Sequence, residues 1–99
     1  MTDSAIHVSQ GEGVLRLRGT LGFATAAKAL REGSQALAGG RIQILDLAGL
    51  EAVDSAGLAC VLALMAEGRR QGHVPRVQQP PKALCDLARV CEVQDQLAA

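Results

Sequence analysis

Apolar and polar residues alternate along Ala5-Ile6-His7-Val8-Ser9 and again along Val14-Leu15-Arg16-Leu17-Arg18. A period of two marks a strand with one buried face, and the Gln-Gly-Glu-Gly turn between the runs predicts a β-hairpin. The period then changes. From Phe23 the apolar residues Phe23, Ala27, Leu30 and Leu37 fall at helical spacing, with Lys28, Arg31 and Glu32 opposite them, so an amphipathic helix is expected, ended by Gly39 and Gly40. "RIQILDL", residues 41–47, is short, rich in branched residues and apolar enough at its end to predict a central parallel strand buried on both faces. A helix from about residue 55 to Gln71 follows, stopped at Gly72, and "VPRVQQ" reads as a short strand ahead of Pro80 and Pro81. Leu84, Leu87, Ala88 and Cys91 recur at i, i+3, i+4 and i+7 and predict a last helix before a short tail. The order is strand, strand, helix, strand, helix, strand, helix. It predicts an α/β fold with a single mixed β-sheet of about four strands packed with three helices, as one domain over residues 1–99 without repeats or linkers.

The middle helix departs from the amphipathic rule. In "AGLACVLALMA", Leu58, Val61, Leu62 and Met65 form one stripe, while Ala59, Cys60, Ala63 and Leu64 occupy much of the remaining surface. A helix apolar nearly all round must be covered, either by a neighbouring helix or by a partner protein. Ala59 and Ala63 are small enough to let a partner come close.

Composition narrows the function classes. Ninety-nine residues suit one core, burying roughly 60 to 65% of the surface of the unfolded chain, so a cleft between two domains is not expected. Ten Lys plus Arg balance ten Asp plus Glu, and Phe23 is the only aromatic residue. The chain therefore has neither the basic field nor the stacking platform of a nucleic-acid binder. Cys60, Cys85 and Cys91 are odd in number and form no C-x-x-C pair, which argues for reduced, buried thiols over disulfides or a zinc site. "MTDSAIHVSQ" does not read as a secretory signal, and the longest apolar run, Leu58 to Ala66, is half the roughly 18 residues needed to span a bilayer. These readings predict a soluble, cytoplasmic chain. Arg69, Arg70, His73 and Arg76 gather after the middle helix, where basic side chains complement the negative end of the helix dipole or meet an acidic partner surface.

The chemistry-bearing stretch is "VDSAGLA", residues 53–59. Asp54 and Ser55 are both good N-cap residues, and a negative Asp54 suits the positive end of the helix dipole. A catalytic serine needs a base within hydrogen-bond reach. His7 lies in the first strand, and His73 lies beyond the far end of a helix about 24 Å long at 1.5 Å per residue, so no catalytic pair is expected. The window is not G-x-S-x-G, and no P-loop pattern occurs in the chain. A helix N-terminus still attracts an anion weakly. The expectation is a protein that is not an enzyme and carries no cofactor and no metal.

The segment "ILDLAGLEAVDSAGLACVLAL", residues 44–64, resembles the signature of the STAS domain, a fold shared by bacterial anti-sigma-factor antagonists and the cytoplasmic tails of sulfate transporters. In that pattern a buried strand ends in Asp-Leu, here Asp46 and Leu47. A short loop leads to an Asp-Ser/Thr-x-Gly-Leu turn, here Asp54, Ser55, Gly57 and Leu58, and a hydrophobic helix follows. The resemblance implies one of two roles. In anti-sigma-factor antagonists, partners of an anti-sigma-factor kinase, the switch is phosphorylation of a Ser or Thr immediately before the Gly. That position is Ala56 here, which has no hydroxyl. Ser55, one residue earlier, is the candidate regulatory or phosphorylation residue. The other role is that of MlaB-type subunits of ABC transporters, which move phospholipids to maintain outer-membrane lipid asymmetry. Compact length, the "QG" that ends the motif helix and the final "LARV" of residues 87–90 resemble that group. By that resemblance the turn of Asp54, Ser55, Ala56, Gly57, Leu58 and Ala59 would bind the ATPase subunit, with Ser55 the main candidate and Asp54, Gly57 and Leu58 shaping the turn. The permease and the inner membrane would be reached only through the complex.

Overall fold

Two residues in left-handed backbone close the first hairpin. Glu12 and Gly13 have φ of 54° and 81°, the geometry that matches a two-residue turn to the twist of its strands. They join β1 (Ile6–Gly11) to β2 (Val14–Leu21) in an antiparallel pair. The computed structural model describes residues 5–39 and 41–97 and continues with α1 (Ala26–Leu37), β3 (Ile44–Val53), α2 (Ser55–Arg70), β4 (Arg76–Gln78), α3 (Lys82–Val90) and α4 (Gln94–Leu97). The sheet order is β1-β2-β3-β4, with β2–β3 and β3–β4 both parallel, so α1 and α2 serve as the two crossovers. The mixed sheet and the three main helices are those expected. Gly40, expected to help end the first helix, lies outside the described residues.

The helices pack on the sheet face formed by Leu15, Leu17, Leu21, Leu45 and Leu47, all fully buried. The opposite face carries Arg16, Arg18, Arg76 and Gln78 in water. There Arg16 Nε pairs with Asp46 Oδ2 at 3.5 Å across the strands, an exposed contact worth under about 1 kcal/mol. The core is therefore one layer between sheet and helices, led by leucines and completed by Ile6, Ile42, Val61 and Met65.

Several expectations are corrected. The third strand is not buried on both faces: Leu45 and Leu47 point into the core, while Ile44 and Asp46 are half-exposed, because among the described residues no helix covers the far side. It also continues where a loop was expected between Leu47 and the motif. Two register shifts against β2, after Arg16 and after Gly19, absorb extra residues in β3 and return Leu50 to the core. Asp46 Oδ1 accepts a hydrogen bond from Ala48 N at 3.0 Å at the first of these bulges. The expected tail contains α4, which buries Leu97. Of the three free thiols only Cys60 is buried; Cys85 is half-buried and Cys91 exposed, since α3 presents one face to the core and Cys91 lies at its end. Among the described residues no helix is long and apolar enough to cross a membrane.

The apolar girth of α2 is met mainly by α1. Leu58, Cys60, Val61, Leu64 and Met65 are buried, and Gly33 of α1 packs against the side chain of Leu64. A β-carbon at Gly33 would stand 2.7 Å from Leu64 Cδ2, so glycine here sets the helix spacing. Gly33→Leu is expected to force α1 off α2 and lower unfolding free energy by about 1–3 kcal/mol, read as a reduced urea midpoint; an unchanged midpoint would show that the pair does not set the spacing.

Candidate functional site

The site is built at the carboxyl ends of the two central parallel strands, where open α/β sheets present loops and helix starts. Leu21, the last residue of β2, lies in register with Val53, the last of β3, and Asp54 N donates to Leu21 O at 3.3 Å. Asp54 then caps α2: Oδ1 accepts from Gly57 N at 3.0 Å. Its other oxygen, Oδ2, accepts from Phe23 N at 3.1 Å. One carboxylate thus ties the first turn of α2 to the turn that leads into α1. The bond from Gly57 N, then that from Phe23 N, hold the Asp54 carboxyl below the ordinary carboxylate range.

Close packing at this corner dictates its small residues. A β-carbon on Gly57 would collide with the Leu21 carbonyl oxygen and stand 2.6 Å from Val53 Cγ2, and one on Gly22 would stand 2.7 Å from Asp54 Oδ2. Thr25 is buried and latches the intervening turn. Its hydroxyl donates to Thr20 O at 2.8 Å and accepts from Gly22 N at 3.0 Å. The motif turn and the turn before α1 are accordingly one rigid unit.

The six motif residues divide by exposure. Asp54, Ser55 and Ala59 are exposed and Ala56 is half-buried, whereas Gly57 and Leu58 are buried, Leu58 to 4% exposure. Leu58 and Gly57 therefore build the turn from beneath, while Asp54, Ser55 and Ala59 stand at its surface. Ala56, Ala59 and Ala63 line one wall of a shallow apolar groove of about 260 Å³, with Ala27 and Leu30 of α1 opposite and Cys60 in its floor. Burial pushes the Cys60 thiol up to about 11, so it stays protonated, and its Sγ lies 3.7 Å from Ala26 O as a weak donor.

Phe23 is the residue that the helical pattern misplaced. It precedes α1, in the turn, and is 88% exposed, because its backbone is held by Asp54 while its ring has no core position to enter. The available signal was the combination of a sole aromatic residue with a position just ahead of Thr25, the N-cap of α1. The other candidates lie elsewhere. His7 is exposed on β1, opposite Arg18, and His73 follows the far end of α2. Arg69, Arg70, His73 and Arg76 are exposed around that far end, where Arg70 pairs with Glu67 at 3.3 Å. Among the described residues no group of three or more His, Cys, Asp and Glu could hold a metal ion. The geometry at Ser55 is that of a capped helix start beside an apolar surface.

Asp54→Ala is expected to lower the thermal midpoint at neutral pH. Because the folded carboxyl titrates below its ordinary value of 3.8, its stabilisation is full above that value and fades as pH falls through the lower folded value. The difference between wild type and Asp54→Ala should therefore shrink in strong acid; a difference constant with pH would remove the charge from the account.

Comparison with known proteins gives a family. The model of the family described as "Mlab, STAS domain" matches residues 4–98. Among solved structures, the anti-sigma factor antagonist SpoIIAA in its unphosphorylated form is similar with a TM-score of 0.70 and 18% identity, over 93% of this chain and 84% of that one. This likeness shows the shared fold. No curated protein matches. With the family match running from before β1 through α4, and the Asp54 turn placed at the carboxyl ends of the parallel strands, the chain belongs to the STAS-domain family.

Proposed function

We propose that this chain is a non-catalytic STAS subunit that binds the ATPase of an ABC transporter for phospholipid trafficking and supports its assembly and activity. The permease and the inner membrane are reached through that ATPase, on the cytoplasmic side. The observation that carries this reading is Ala56: the turn offers a methyl group, half-buried at the head of an apolar groove, where a phospho-switch by resemblance places a hydroxyl. A surface of this kind suits a standing contact better than one reversed by adding roughly −1.5 to −2 charge. The description of the matching family supports the same choice.

Docking uses Asp54, Ser55, Ala56 and Ala59 at the surface, with Gly57 and Leu58 shaping the turn beneath them. The groove is lined mostly by alanines, with Leu30 on the α1 side, so a partner helix can approach the backbone of α1 and α2 closely and bury apolar area without large rearrangement. Binding to an anti-sigma-factor kinase is the second reading. The fold similarity to SpoIIAA and the exposed hydroxyl of Ser55 favour it.

Purification of a tagged chain from its native cells in mild detergent separates the two, since the transporter reading expects an ABC ATPase with its permease and the second expects a kinase-like anti-sigma factor. Ser55→Trp should leave the circular dichroism spectrum intact and abolish co-purification of the ATPase; full recovery of the ATPase would take the turn out of the interface. Intact-mass measurement of the native protein should find no stoichiometric phosphate, and a phosphate on Ser55 would favour the switch.

A further inference from the structure

Phe23 and Asp54 stand side by side at the head of the groove, and their chemistries select one kind of group. The ring is 88% exposed, and the backbone nitrogen of the same residue donates to Asp54 Oδ2 at 3.1 Å, so an exposed aromatic side chain and an exposed carboxylate belong to two residues in direct contact. Each Asp54 oxygen already accepts one backbone N–H, from Gly57 and from Phe23. No side-chain donor is among these partners, so the exposed edge of the carboxylate can still accept from a partner's side chain. Among the described residues Asp54 forms no salt bridge. Lys28, on the first turns of α1, is turned toward β1, where its Nζ donates to Ile6 O at 3.3 Å.

An anion is disfavoured here, because the carboxylate of Asp54 already occupies the positive end of α2. A purely apolar group would cover the ring but strip water from a carboxylate that has no side-chain counter-charge, which is costly. A cation that is flat and carries several donors satisfies both neighbours. The guanidinium of arginine stacks on an aromatic face and donates two parallel hydrogen bonds to a carboxylate, whereas a lysine ammonium offers only a compact, strongly hydrated charge.

We infer that Phe23 and Asp54 together form a receptor for an arginine side chain of the docked partner, the guanidinium lying on the ring and paired with the carboxylate while flanking apolar residues of the partner enter the groove between α1 and α2. The inference rests on the proposed ATPase partnership, since it names the group on the ATPase that this corner reads. Phe23 thereby joins the docking surface as its aromatic anchor, aromatic residues being enriched at the cores of interfaces.

The test is titration of the purified full-length chain against the purified ATPase, with Phe23→Leu, Phe23→Trp and alanine replacements of the ATPase's surface arginines. Phe23 is exposed, so its variants should keep the wild-type circular dichroism spectrum. Phe23→Leu keeps an apolar side chain without the π face and should weaken binding about 3- to 30-fold, while Phe23→Trp should bind at least as tightly as wild type. One ATPase arginine should make the leucine substitution silent when it is replaced by alanine. Equal binding by Phe, Leu and Trp, or a leucine effect that persists through every arginine replacement, overturns the arginine receptor and leaves the ATPase reading standing. Absence of binding between the wild-type chain and the ATPase overturns both.

Discussion

The carboxylate of Asp54 is the constraint on which the working corner of this domain depends. Its two oxygens take hydrogen bonds from Gly57 N and Phe23 N, so the start of α2 and the approach to α1 are held by one residue. The parallel pairing of β2 and β3 makes this possible, since it brings Leu21 and Val53 to the same edge. Glycine at 22 and 57 then lets the backbone close around the side chain. Conformational rigidity at this corner is the result, and a rigid corner loses little entropy when a partner docks.

The same packing divides α2 into two functions. Its leucines and valine face the sheet and α1, where fully burying each large side chain contributes about 1.5–3 kcal/mol. Its outer residues, Ala56, Ala59 and Ala63, add little to that core and leave a smooth apolar trough against α1. Small side chains keep the trough shallow and open, and the exposed Phe23 lies three residues ahead of Ala26, where the α1 side of the trough begins. Stability and docking are thus written on opposite sides of one helix. The basic residues after α2 take no part in this corner, because the length of the helix separates its two ends.

Much of the architecture was legible because periodicity reports burial directly. The alternation around Leu15 and Leu17 and the helical spacing of Leu84 and Ala88 survive as buried faces in the fold. The Asp-Ser-x-Gly-Leu spacing likewise placed the cap and the turn. What could not be read depended on contacts distant in sequence. The bulges that extend β3 to Val53 arise from its register with β2, and the exposure of Phe23 follows from a hydrogen bond to a residue 31 positions later. Leu58 belonged to the apolar stripe of the motif helix, but that Gly57 packs directly on the end of β2, against the Leu21 carbonyl, needed the fold to be seen. The short helix α4 has too few residues to show a period.

The central claim is that the Asp54 corner and the adjoining groove are where another protein sits. Amide hydrogen exchange of the full-length chain, alone and bound to the ATPase, tests it most directly. The account predicts slowed exchange in the bound state across residues 22–31 and 54–63, with the open face of the sheet around Arg16 and Arg18 unchanged. Protection confined to the open sheet face, or to the basic end near Arg69 and Arg76, would contradict it.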